Sequence, residues 1–222
     1  MLKKVLVVLL SASLALSVVG CSNLNKKETQ ENQKKVEVKN EETFIGDGTW
    51  AKDYTRDEVT AFNNEISSRM EEEVNFYGMD YKKEEVVKEE NGETVNNNSI
   101  YFDNLDPEPN KIESMYYGMK IYGSDLSKGS LNLKVGLKLD VNQIKEEDKF
   151  DLKEISISTF SEAMTNNSDR DYTEINDKII DIVKNQGSNG KIETNLDGLV
   201  ETITIKGDYL LYKLDSKVYN FK

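Results

Sequence analysis

The chain has 222 residues, with 29 Lys and Arg against 41 Asp and Glu for a formal charge of -12, and it contains one cysteine and no histidine. Those two counts exclude histidine-based triads, Cys-His nucleophiles, zinc sites built from these residues and disulfide frameworks. The acid excess opposes nucleic acid and anionic headgroups and keeps the chain soluble, which leaves carboxylate chemistry open: a calcium or magnesium site, a two-carboxylate glycosidase or a Ser-Lys hydrolase.

In chain order, Lys3 and Lys4 precede two apolar runs, Val5 to Leu10 and Leu14 to Val19, and Gly20 then stands before the lone Cys21. A positive start, an apolar stretch and a small residue are the parts of an export signal. The apolar stretch is at the short end of the roughly 17 to 25 residues that span a bilayer. The sequence Leu16-Ser17-Val18-Val19-Gly20-Cys21 resembles the lipobox of bacterial lipoproteins, and the richness in Lys, Asn, Ile and Glu is similar to Gram-positive usage. The resemblance covers residues 1–21 only. It implies cleavage between Gly20 and Cys21, a diacylglycerol on the Cys21 thiol, and a chain held on the extracytoplasmic face of the cell membrane. Each buried methylene of such an anchor adds about 0.8 kcal/mol, and two acyl chains hold stably. Loss of residues 1–20 removes Lys3 and Lys4 and leaves 27 basic against 41 acidic side chains.

Residues 21–43 hold the lipidated cysteine and then Lys, Glu, Asn and Gln without an aromatic residue. Too little apolar surface is present to offset ordering entropy, so this stretch reads as a disordered linker with a root-mean-square reach of roughly 25 Å. A single folded domain is expected over 44–222, opening with Phe44, Ile45 and Trp50 around Gly46-Asp47-Gly48. Thr55 and Glu58 form a capping box, and Val59, Phe62, Ile66, Met70, Val74 and Tyr77 recur at steps of three and four. The spacing predicts a helix from Arg56 to Tyr77, stopped by Gly78.

Asn91-Gly92 predicts a type I′ hairpin turn after Val86 and Val87, with a further strand starting near Ser99. Asp106-Pro107-Glu108-Pro109 is a turn, and Lys111 to Tyr122 alternates with Met115, Tyr117, Met119 and Ile121 on one side. Ser130 to Val141 alternates most regularly, with Leu131, Leu133, Val135, Leu137, Leu139 and Val141 facing one way. Phe150 to Thr159 is expected to be another strand, bent between Leu152 and Ile155. Asp171 and Glu174 suggest a capping box for a helix carrying Ile175, Ile179, Ile182 and Val183. Asp197-Gly198, Gly207-Asp208 and Asp215-Ser216 then punctuate a four-strand meander that pairs Ile203 with Tyr212, Ile205 with Leu210 and Tyr212 with Tyr219. One wet and one buried sheet face is an antiparallel habit. The fold class is therefore α+β, a bent antiparallel β-sheet of eight or nine strands packed by two main helices.

Three constellations are candidate sites. Asp169, Asp171, Glu174 and Asp177 form the densest acid cluster, a weak metal candidate because it lacks the glycine and terminal glutamate of an EF-hand and because helix capping accounts for two of its members. Ser124-Asp125-Leu126-Ser127-Lys128 has Ser-Lys residue types but the composition of a turn. Tyr101, Tyr116 and Tyr122 fall on adjacent strands as a possible aromatic platform for a ligand. No catalytic residue and no cofactor is singled out. The expectation is a non-catalytic, lipid-anchored module of the cell envelope with a protein partner there; the alternatives are a module holding a glycan, peptide or lipid on its sheet, and a carboxylate-dependent wall hydrolase.

Overall fold

The computed structural model describes residues 46–221; Gly20, Cys21, the linker, Phe44 and Ile45 lie outside the described residues. No helix among the described residues is long and apolar enough to cross a membrane.

Helix α1 spans Arg56–Phe76, and its start is the capping box read from the sequence: Thr55 accepts from the Glu58 amide while the Glu58 side chain takes the Thr55 amide at 2.7 Å. Val59, Ile66, Met70 and Val74 form its buried stripe. The chain then makes a four-strand meander, β1 Lys82–Glu90, β2 Glu93–Asp103, β3 Lys111–Tyr122 and β4 Lys128–Lys138. Asn91 and Gly92 both adopt positive φ, 53° and 80°, as a type I′ turn requires. Helices α2 Val141–Glu147, α3 Ser156–Thr165 and α4 Thr173–Asn185 follow, and β5 Asn189–Leu196, β6 Leu199–Lys206, β7 Tyr209–Asp215 and β8 Tyr219–Asn220 complete the chain. All eight strands are antiparallel in one sheet ordered β1-β2-β3-β4-β7-β6-β5, with β8 against β4. The architecture is α+β.

The sheet's inner face carries Leu131, Leu133, Val135 and Leu137 on β4 and Ile203, Ile205, Leu210, Tyr212 and Leu214 on β6 and β7, all nearly inaccessible to solvent. They pack in one core with Ile66 and Met70 of α1, Phe160 and Met164 of α3 and Ile179 of α4. Each such side chain contributes about 1.5 to 3 kcal/mol on burial. Helices α1 and α3 run antiparallel: Arg69 Nε donates to the Ala163 carbonyl at 2.7 Å, and two turns further along α1 the Tyr77 and Thr159 hydroxyls meet at 2.9 Å.

Five expectations are corrected. The strand beginning near Ser99 is the continuation of β2, which already starts at Glu93. The best alternating strand stops at Lys138, because Asp140 accepts the Gln143 amide as an N-cap and makes Val141 the first residue of α2. The expected strand over Phe150 to Thr159 is a 3-10 turn at Leu152–Glu154 followed by α3; Ile157, Phe160 and Met164 stand at helical spacing, and Ser, Thr and Ile around them hid it. Asp171 and Glu174 form no capping box: Tyr172 is the N-cap, and Asp171 instead accepts from the Thr173 amide and hydroxyl in an Asx turn. Tyr212 does not pair with Tyr219. Ser216 Oγ takes the Leu131 amide and turns the chain across β4, so β8 lies on β4 through Gly129 and Tyr219, whereas Ile203–Tyr212 and Ile205–Leu210 pair as read.

The segment 46–54 is laid across the β5–β6 turn. Asp197 receives the Trp50 amide on its carbonyl and the Thr49 amide on its carboxylate, each at 2.9 Å. Lys217 reaches the Ala51 carbonyl at 2.8 Å and Asp53 at 2.7 Å, and the Tyr219 hydroxyl donates to the Trp50 carbonyl at 3.1 Å. The two backbones touch. A methyl group on Gly48 would lie 2.2 Å from the Asp197 carbonyl carbon, and one on Gly198 would lie 2.4 Å from the Ala51 nitrogen.

Candidate functional site

Strand register places the three sequence-selected tyrosines on the sheet's outer face, away from the helices. Tyr101 stands directly opposite Tyr116, and Tyr122 stands opposite Val95 on the same face. Phe102 and Tyr117 alternate to the core, where burial raises the Tyr117 phenol pKa and its hydroxyl has no partner among the described residues. The row through Tyr116 continues across the sheet as Lys134 on β4, Lys213 on β7 and Thr202 on β6.

The tyrosines are fixed. Tyr116 leans over Gly118, where an added methyl would come 2.5 Å from its hydroxyl oxygen, and that hydroxyl donates to Asn97 Oδ1 at 2.7 Å. Burial raises its pKa. Tyr209 leans over Gly136 in the same way. A ring laid over a strand glycine restores packing that the missing side chain forfeits, so Tyr116 and Tyr209 are held against the sheet. The Tyr101 hydroxyl donates to Glu84 at 2.7 Å, and the Tyr122 hydroxyl meets Ser130 at 3.0 Å.

Lysines surround these rings. On β3, β4 and β7 the outer face carries Lys120, Lys128, Lys134, Lys138 and Lys213 together with Asp215, and the Glu113 charge at the β3 bulge acts on Tyr209 at its edge. Lys120 is held by Glu90 at 2.8 Å and Lys213 by Asp215 at 2.7 Å. Lys134 has no carboxylate partner among the described residues; its ammonium lies 5.5 Å from the centre of the Tyr116 ring. Burial of its stem and the neighbouring Lys213 charge lower its pKa. A chain of net charge -12 has thus gathered cations on the middle of one face. Alternation in Ser130 to Lys138 exposes half of this pattern to a sequence reader, but Lys213 and Tyr209 join it only through the β4–β7 pairing, which has no local signature.

The other candidates are placed elsewhere. Among the described residues no three Asp, Glu or Cys side chains are grouped to hold a metal ion. Glu174 pairs with Lys178 at 2.6 Å, and Asp171 is engaged with Thr173. Lys128 opens β4 and Asp125 takes the Ser127 amide, so the Ser124 to Lys128 stretch is the β3–β4 turn. A buried polar cluster escaped the sequence reading: Arg170 grips Glu201 with two bonds of 2.7 and 2.6 Å, and Thr194 donates to Glu201 at 2.6 Å. Tyr212 bridges Arg170 to Ser161, and Arg170 stacks 4.5 Å over Tyr172. Its polar groups are engaged with one another, and its effect is to fasten the loop before α4 to β6.

Comparison of the chain with protein-family models, with curated proteins and with solved structures finds no match in any of the three.

Proposed function

We propose that this chain is a lipid-anchored binding module of the bacterial cell envelope, held through Cys21, whose outer sheet face binds an anionic sugar polymer. The observation that carries the reading is the row Tyr101, Tyr116, Lys134 and Lys213, in which two paired aromatic side chains run into two adjacent cations. Sugar rings present flat apolar faces that lie against tyrosine, and a polymer bearing carboxylate or phosphate groups pairs with the lysines. Lys134 is exposed and forms no ion pair among the described residues, so an incoming anion has no direct carboxylate partner to displace there. Asn132 on the strand of Lys134 and Thr202 opposite Lys213 supply hydrogen bonds to hydroxyls.

The test is sedimentation of the mature chain with purified wall fragments before and after removal of their anionic polymer. Binding is expected to fall about tenfold, ~1.4 kcal/mol, in the Lys134→Gln, Lys213→Gln double variant. It is also expected to vanish with neutral glucan. Equal binding to stripped fragments, or an unaltered double variant, sinks the reading.

A further inference from the structure

On the helix side of the molecule, α1, the end of α3 and the segment 46–54 border a cavity of about 230 Å³ that opens to solvent. Its apolar wall is an aromatic cluster: Phe62 lies 4.9 Å from Tyr54, edge to face, and 6.2 Å from Trp50, measured between ring centres. Three charged side chains line the same space, Arg69 and Glu65 from α1 and Asp197 from the β5–β6 turn. Arg69 spends only Nε, on the Ala163 carbonyl, which leaves its two terminal nitrogens without a partner among the described residues. Asp197 accepts the Thr49 amide with Oδ1, and Glu65 has no hydrogen bond or ion pair among the described residues.

These charges select against singly charged ligands. A lone cation meets the Arg69 guanidinium. A lone anion meets Glu65, Asp197 and the negative end of the α3 dipole, because the last residues of that helix form part of the wall. A compact molecule with a carboxylate at one end and an ammonium at the other satisfies both sets, and the guanidinium fork matches a carboxylate in two bonds. The volume lies below the roughly 300 to 1,000 Å³ of sites for drug-sized ligands. We infer that this cavity binds a free zwitterionic amino acid with an apolar side chain, its carboxylate on Arg69, its ammonium between Glu65 and Asp197 and its side chain against Trp50 and Phe62.

Trp50 is the only tryptophan in the chain, so its emission reports on the cavity wall directly. The mature chain is titrated with L-leucine, with N-acetyl-L-leucine, which lacks the ammonium, and with L-leucinamide, which lacks the carboxylate. Leucine is expected to give a saturable change, and each analogue to bind at least about tenfold more weakly. Arg69→Gln should abolish leucine binding, and Glu65→Gln, an exposed substitution that leaves the fold intact, should weaken it. No saturable heat or emission change with leucine overturns the inference. So does leucinamide binding as tightly as leucine in both wild type and Arg69→Gln, which would make the cavity a cation site. These outcomes do not involve Lys134 or Lys213, so polymer binding on the outer face stands or falls separately.

Discussion

Arg170 and Glu201 show what a buried ion pair does in this molecule. Their side chains are 11% and 1% exposed, and the pair is bidentate. Burial disfavours the Arg170 charge, but its bond to Glu201 together with the electrostatic pull of Tyr212, Glu201 and Tyr172 outweighs this and raises its pKa. Removing one partner leaves an uncompensated charge in a dry site, so Arg170→Met alone is expected to cost about 3 to 5 kcal/mol in urea unfolding. The double variant Arg170→Met, Glu201→Leu should cost less than either single change; additive losses would show that the pair is not the source of the effect. Sequence alone could not couple residues 31 positions apart across a loop and a strand. The tyrosines differ: alternation with Met115, Tyr117 and Met119 was enough to send Tyr116 outward, and only the glycine beneath its ring needed the structure.

Helices α1 and α3 meet along a line that includes like charges. Glu73 has a raised pKa, first from burial and then from the charges of Glu162 on α3 and Glu72 beside it. A carboxyl whose folded-state pKa is raised holds its proton more tightly in the fold, so its contribution favours the folded state at low pH and declines as pH climbs through the carboxylate range. Glu73→Gln is therefore expected to raise the thermal midpoint at pH 7 and to flatten its fall between acid and neutral pH. The gain is about 0.5 kcal/mol or less, the size of a partly exposed like-charge pair. A lower midpoint at pH 7 would contradict this. Elements with one dominant local signal were legible: the Thr55–Glu58 box gave α1 within a residue, and Asn91-Gly92 gave the first hairpin. Helix α3 was not, because Ser156 to Thr159 favour strands locally and only the step from Ile157 to Phe160 to Met164 marks a helix. Strand β8 is two residues long, and its pairing with β4 is decided by Ser216 holding Leu131, a contact 85 residues apart.

Charge is unevenly sorted over the whole molecule. The net charge is -12, yet the middle of the outer sheet face is basic. Screening acts on both terms with opposite results. Raising the salt from about 0.05 to about 0.5 M should relieve self-repulsion and lift the unfolding midpoint, while the same series weakens attachment to an anionic polymer. Parallel movement of the two curves would mean that the lysines are not the attractive surface. The crossing of Gly48 over Gly198 adds a mechanical consequence, because residues 46–54 form a strap that both lies across the β5–β6 turn and walls the amino-acid cavity. A pull from the amino-terminal side loads that strap first and peels its contacts with Asp197, Lys217 and Tyr219 before the sheet's ladders bear any force. Tension from that side would open the cavity and empty it while the rest of the body kept its shape.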